Sequence, residues 1–349
     1  MKFKKLLFVF LTLILNNVLF GQLDSIWIHC DTNLLQKIYS EYLENDYIEC
    51  DVNYLGKTHP AHMRIRGSSS REFPKKSLKI KYKSDNKTKT INLNADYLDK
   101  SYMRQYLASS LYQQIHTLTF SCKHKAVFIN NTFFGIYLEV DNIDYDFLIQ
   151  KNKNDIGNLY KASEDYANMS WFDDGSHYWE KKTNKNYNNS DLQNLIYDIN
   201  SISMDKFADY IKSNFNYNNL ISSVALNILI GNGSTYYHNY YLYNNTWEHK
   251  WYYLPWDLDK TMGSYKDLRY DYCSWSAHES GDMPENPLIK KLFLNSITSK
   301  EIFNKIDSLK FSIFNEEQLY PIIDSLENVL QPYIQHDDND QITNVGQWK

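Results

Sequence analysis

Two hydrophobic periods divide this chain. In its first half, Ile48–Leu55, Ala61–Gly67, Lys76–Tyr82, Ala126–Ile129 and Thr132–Glu139 alternate apolar with polar positions or are rich in β-branched residues, with turn residues between them. Such a run predicts a meandering antiparallel sheet. One helix interrupts it: Asp99–Gln114 opens on an acidic cap and places Met103, Tyr106, Leu107 and Leu111 on one face. Further along, the period becomes helical at Asp191–Ile199, Met204–Lys212, Phe215–Leu229 and Glu301–Ile334, the last with Leu326, Val329 and Leu330 on one face. The pattern predicts an α+β protein, sheet-rich in its first half and helix-rich in its second.

A hairpin breaks the helical half. In GNGSTYYHNYYLYNNTWEHKWYYLPWDLDKTMG (Gly231–Gly263), two aromatic, β-prone runs flank Asn244-Asn245, a pair with turn chemistry. Pairing these runs folds Asn239 back toward Asp257 and Asp259. If WDLD is extended, the two carboxylates share a face. With the Asn239 carboxamide they form an oxygen set suited to Mg²⁺, Mn²⁺ or Ca²⁺ rather than zinc. Aspartates at a strand end also serve simply as turn caps, and the pattern leaves both roles open.

Charge and composition narrow the setting. Lys2, Lys4 and Lys5 precede an uncharged run, Leu6–Phe20, and Gly21-Gln22 offers a small residue for cleavage, as in a secretory signal over 1–21. The apolar core of about fifteen residues is short for a bilayer span of roughly twenty, so no stable membrane span is expected after cleavage. The expected location is secreted or in the cell envelope. A net charge of −5 provides no bulk basic field, which argues against nucleic acid as a partner. Arg64, Arg66, Arg71, Lys75, Lys76, Lys79, Lys81 and Lys83 do cluster locally, as a phosphate-facing run or as a solvated strand edge. The four cysteines, Cys30, Cys50, Cys122 and Cys273, are too widely spread for a zinc pattern; export permits disulfides without requiring them. Thirty tyrosines form a compositional bias, so no single one is given a binding role. Lys181–Asp191 is polar and aperiodic, a surface loop.

Six blocks in order carry a resemblance. RIRGSSSREFPKKSLKIKY (Arg64–Tyr82), LNADYLDKSYMRQYLASSLY (Leu93–Tyr112), FFGIYLEVDNIDYDFL (Phe133–Leu148), GNLYKA (Gly157–Ala162), HNYYLY (His238–Tyr243) and YYLPWDLDKTMG (Tyr252–Gly263) together resemble the CotH-type spore-coat kinases. The resemblance implies a two-lobed atypical protein kinase-like fold over 22–349, with an N-lobe at about 22–140 and a C-lobe at about 141–349. It also implies ATP and Mg²⁺ or Mn²⁺ as cofactors, and Ser or Thr of a surface or envelope protein as substrate. Within it, Arg66 and Ser68 lie in a small-residue turn whose N–H groups face phosphate, although one glycine alone equally marks an ordinary hairpin turn. Lys76 and Lys79 point to opposite faces of their strand, so one of them reaches the nucleotide. Lys79 is favoured and Lys76 is the fallback. Glu139 is the acidic partner of that lysine, a residue of the adenine pocket, or a strand-end carboxylate in solvent. Arg104 is possible support.

One departure matters for chemistry. In kinase catalytic loops the Asp that orients the acceptor hydroxyl stands five positions before the metal-binding Asn. Five before Asn239 is Ser234, which has no carboxylate. Either His238 or a carboxylate elsewhere substitutes, or the domain is a pseudokinase that binds without transferring phosphate and acts in surface assembly. A third reading, a carbohydrate-contacting envelope protein, rests on export and on Trp247, Trp251 and Trp256 as a stacking strip.

Overall fold

The structure, a computed structural model, describes residues 23–153, 156–163, 166–170, 176–263 and 285–337. The leader expected over 1–21 and Cys273 lie outside the described residues. The chain divides into two compact units. The first takes residues up to 103, 122–142 and those from 320 on; the second takes 104–121 and 143–319.

In the first unit the alternating strands are β1 (Ser25–Cys30), β2 (Ile48–Tyr54), β3 (Lys57–Arg66), β4 (Ser77–Ser84), β5 (Lys87–Asn94), β6 (Cys122–Ile129) and β7 (Thr132–Val140), with α1 (Thr32–Ser40) after β1. They close into a barrel in the order β1-β2-β3-β4-β5-β7-β6, in which the expected antiparallel meander runs from β2 to β5 and closure is the feature added. Closure comes from β1, which pairs antiparallel with β2 and parallel with β6 and so joins two edges that would otherwise stay unpaired. The period-two pattern turns Cys50 and Val52, Ala61, Met63 and Ile65, Leu78 and Ile80, and Ile91 and Leu93 inward to one core. Each fully buried Ile, Leu or Val there contributes roughly 1.5–3 kcal/mol.

The same unit buries a charge. Lys75 Nζ donates to Asp337 Oδ2 (2.8 Å), to the Ile136 carbonyl (2.6 Å) and to Tyr102 Oη (3.0 Å), and lies over the rings of Tyr102 and Tyr137. Asp337 Oδ2 accepts in turn from Ile136 N (3.0 Å) and Tyr102 Oη (3.2 Å). Burial pulls the Lys75 pKa down, while Asp337 opposes that shift. Gly135, at φ +134°, gives the carboxylate its room, since a Cβ there would stand 2.8 Å from Asp337 Oδ2.

The second unit contains α2 (Arg104–Gln114), α3 (Tyr145–Gln150), α4 (Ser190–Ser201), α5 (Met204–Asn214), α6 (Tyr217–Leu229), α7 (Pro287–Leu294) and α8 (Ser296–Ser312). Strands β8 (Asn158–Ala162), β9 (Trp179–Lys181), β10 (Tyr240–Asn245) and β11 (Lys250–Pro255) form a sheet in the order β11-β10-β8-β9. Helix α9 (Glu316–Ile334) begins in this unit and continues, from Tyr320, in the first. The fold is therefore α+β with a sheet-rich first half and a helix-rich second half, as expected.

Three local expectations are corrected. The helix foreseen from Asp99 starts at Arg104, because the Asp99 carboxylate binds Ser101 N and Oγ instead and Tyr102 is left-handed at φ +59°. Glu301–Ile334 is two helices, with Asn315 Oδ1 accepting from Gln318 N at the start of the second. Asn244 and Asn245 remain in β10, opposite Trp251 and Lys250. The turn follows them, held by Asn245 Oδ1, which accepts from Trp247 N and Glu248 N.

Candidate functional site

In the second unit the site grows from α6 and the hairpin it carries. Asn216 caps α6 by accepting from Asn219 N, and Asn219 Oδ1 accepts from Tyr253 N, so the helix holds β11 in place. Tyr240 faces Pro255 at the open end of the ribbon, and just beyond them Trp256 N donates to Asn239 O (3.2 Å). The hairpin thus brings Asn239 back beside the segment that carries Asp257. WDLD, however, is not extended. Asp257 is left-handed at φ +57° and Leu258–Asp259 form a turn, so the shared strand face expected for Asp257 and Asp259 does not exist. Asn239 (φ +60°), Tyr236 (φ +73°) and Met262 (φ +51°) are left-handed as well. Asn and Asp tolerate that conformation, whereas for Tyr and Met it costs of order 1–3 kcal/mol, a concentration of strain typical of functional loops.

Beneath the mouth of the ribbon lies a neutral hydrogen-bond network. Tyr112 Oη donates to Asn227 Oδ1 (2.6 Å), which also accepts from Asn232 Nδ2 (2.9 Å). Asn232 Oδ1 accepts from Ser234 N (3.2 Å). Ser234 Oγ then accepts from Asn239 Nδ2 (3.1 Å) and shares a hydrogen bond with His238 Nε2 (3.2 Å), in which either group can donate. Ser234 is 1% exposed, whereas His238 and Asn239 are half-buried and reach the surface. Ser234 is therefore placed to orient its two neighbours, and they are the groups that can meet a ligand.

The oxygens of Asn239, Asp257 and Asp259 are of the hard type that Mg²⁺, Mn²⁺ and Ca²⁺ take. With its amide nitrogen committed to Ser234, Asn239 keeps its side-chain oxygen as an acceptor, and its backbone oxygen takes the Trp256 N–H next to the half-buried Asp257 in sequence. Among the described residues no group of three or more His, Cys, Asp and Glu is arranged to hold a metal, so such a site would rest on the amide oxygen together with carboxylates.

In the first unit, Lys79 lies on the outer face of β4, between Arg64 of β3 and Asn92 of β5, with the core residues Leu78 and Ile80 on either side of it in sequence. Lys76 was expected to face outward as the fallback, but it is buried. Its amine donates to the Arg71 carbonyl and sits over the Tyr42 ring, because it shares the inward parity of Leu78 and Ile80. Arg66 donates to Asn94 Oδ1. Ser68 is exposed in the turn before a short 3-10 segment, Ser69–Glu72, and Gly67 is left-handed there at φ +117°. Arg71 fixes this loop through Gly67 O, Leu43 O and Asn45 Oδ1. Glu139 accepts from Tyr54 Oη (2.6 Å) and pairs with Lys125 (3.5 Å) rather than with Lys79. The tryptophan strip is not formed: Trp251 and Trp256 are buried and only Trp247, 70% exposed, faces solvent.

The sequence reading passed over Lys75 as a site residue, along with Asn227 and Asn232. Lys75 adjoins Lys76 in an unbroken basic pair, and its partner Asp337 is distant in sequence, so no local signal marks it. Asn227 sits in the mostly apolar helix VALNIL, and a polar residue on a buried face is the signal that was available.

The barrel-bearing unit and the helical unit with its strained hairpin mouth both contribute residues to one match with a kinase family, which makes this a kinase-like protein. Residues 63–348 match the family model described as CotH kinase protein. The chain belongs to that family. It is 26% identical over 280 residues to inner spore coat protein H of Bacillus subtilis (strain 168), an alignment that covers 77% of this chain and 76% of the relative. Among solved structures it is similar to the Helicobacter pylori proinflammatory kinase CtkA, with a TM-score of 0.30 and 12% identity over 74% of this chain and 91% of the other.

Proposed function

We propose that this protein is an exported kinase that uses ATP and Mg²⁺ or Mn²⁺ to phosphorylate Ser or Thr hydroxyls of surface or envelope proteins, with His238 standing in for the missing catalytic carboxylate. The observation that carries this reading is the Ser234 Oγ to His238 Nε2 bond of 3.2 Å. It fixes a half-buried imidazole next to Asn239, where a ring nitrogen can take the proton of an acceptor hydroxyl. Asn239 and Asp257, with Asp259 from the following turn, would hold the cation, whose charge would neutralise phosphate oxygens. In the barrel unit Lys79 is the phosphate-facing candidate, with Arg66 at the end of β3 and Ser68 in the turn after it. The location follows the basic-apolar leader and the spore-coat relative, and points to the envelope.

The second reading, a nucleotide-binding pseudokinase, is favoured by the serine at position 234, since a hydroxyl cannot act as a base near neutral pH. Transfer of radiolabelled phosphate from ATP to a Ser-rich peptide separates the two. The expected result is native activity, a loss of about 10²–10⁴-fold in His238→Ala, and retained ATP-dependent thermal stabilisation in that variant. No transfer by the native chain, with stabilisation by ATP and Mg²⁺ intact, would establish the pseudokinase.

A further inference from the structure

We infer that Cys30 and Cys50 form a cross-strand disulfide, a covalent staple between β1 and β2 made when the folded chain meets a disulfide-bearing oxidant. Both are free thiols in the reduced protein and are direct partners in the antiparallel register. Opposed residues in such a pair alternate between hydrogen-bonded and non-hydrogen-bonded sites. The non-bonded sites bring the two side chains closest, with Cα atoms about 4.5 Å apart, at the short end of the roughly 4.4–6.8 Å that a disulfide spans.

The far side of β1 decides which kind of site this is. Ile28 O accepts from Asn130 N (2.9 Å), Cys30 N donates to Asn130 Oδ1 (3.0 Å), and Cys30 O accepts from Asn130 Nδ2 (3.0 Å). The backbone groups of Ile28 and Cys30 thus point away from β2, and the two cysteines form a non-hydrogen-bonded pair. Their side chains also share a face. Cys50 stands in the barrel core between Ile48 and Val52, and Cys30 packs against that core.

Thiol–disulfide exchange completes the bond. The thiolate of Cys30, the more exposed of the two, attacks the S–S bond of the oxidant and expels one of its sulfurs as a thiol. The Cys50 thiolate then attacks the Cys30 sulfur of the mixed disulfide, and the second oxidant sulfur leaves as a thiol. The protein loses two protons and two electrons, and the oxidant gains them. Burial holds both thiols above their ordinary range, Cys50 up to about 12, so the reaction is slow and the buried product resists reverse attack. An exported chain meets the oxidising conditions under which such a bond persists.

The test uses the full chain, purified reduced and incubated with oxidised glutathione, then alkylated in denaturant, digested and mapped by mass. The expected product joins the Cys30 and Cys50 peptides with the loss of two hydrogens, and the urea midpoint of the oxidised chain rises by about 1 M. Cys122→Ser combined with Cys273→Ser should keep both the link and the rise, while Cys50→Ser should abolish both. Recovery of Cys30 and Cys50 as alkylated thiols, a glutathione adduct on Cys30 alone, or links to Cys122 or Cys273 would overturn the assignment.

Discussion

The two units bury polar groups in opposite ways. The barrel unit closes a full charge pair, Lys75 with Asp337, inside a cage of Tyr102, Tyr137 and the Ile136 backbone. The helical unit runs a neutral chain of amides and hydroxyls from Tyr112 through Asn227, Asn232 and Ser234 to His238 and Asn239. An ion pair out of water is costly to break but ends where it begins. A neutral chain is worth about 1 kcal/mol per link, yet it carries position from the core to two residues that reach solvent. The first arrangement fastens, and the second aims.

The sharpest way to break this comparison is to leave one charge alone. Asp337→Ala should cost about 3–5 kcal/mol in urea unfolding, because Lys75 then stays buried without its counter-ion. Replacing the pair together, Lys75→Met with Asp337→Leu, should recover most of that loss, as apolar substitutes of similar volume often do. A single-variant cost under about 1 kcal/mol would mean that the pair does not anchor the barrel unit.

The neutral chain should respond more mildly. Tyr112→Phe removes a buried donor from Asn227 and should cost about 1–2 kcal/mol. Its second consequence is a test of aiming: His238 titration followed by NMR should change if the chain from Tyr112 to Ser234 positions that ring. An unaltered His238 titration would confine the network to a packing role.

A smaller effect should appear with pH. His124 is buried with Nε2 donating to the Tyr102 carbonyl (2.6 Å), and burial lowers its pKa from 6.5 against the opposing hydrogen bond and Asp99. The unfolded chain therefore binds the extra proton first. This contribution to stability is complete above pH 6.5 and is lost as the pH falls through that value toward the folded pKa. His124→Phe should flatten the stability profile in this window, and an unchanged slope would assign the acid sensitivity to other groups.

Most strands and helices were legible because each carries its own period. Alternation in β2, β3, β4, β6 and β7 is local information, as is the helical period of α4, α5 and α6. Closure of the barrel was not legible, because it depends on β1 lying parallel to β6, a pairing of residues about a hundred positions apart that leaves no local mark. β5 was missed because its first half, KTKT, is polar. At the hairpin, the return of Asn239 toward Asp257 could be read from two β-prone runs, but the turn moved beyond Asn245 because the asparagines pair in the ladder and one of them caps the turn from there. Lys76 was misjudged because strand parity places it with Leu78 and Ile80, and the aromatic ring of Tyr42, distant in sequence, shelters its amine. The bond from Ser234 to His238 spans four residues of irregular backbone, including the left-handed Tyr236, and no periodicity encodes that path.

The Lys75–Asp337 pair also sets an order of events during synthesis. The barrel strands leave the ribosome first, yet the carboxylate that neutralises their buried lysine lies 262 residues downstream of it. A nascent chain with every strand already made still has an ammonium and no counter-ion for the site that buries it. Domains usually fold as they emerge, but here the N-terminal barrel cannot reach its final stability until Asp337 has been translated. The intervening helical unit can mature in the meantime. A nascent chain that stops short of Asp337 would thus hold its barrel strands without the counter-ion of their buried lysine.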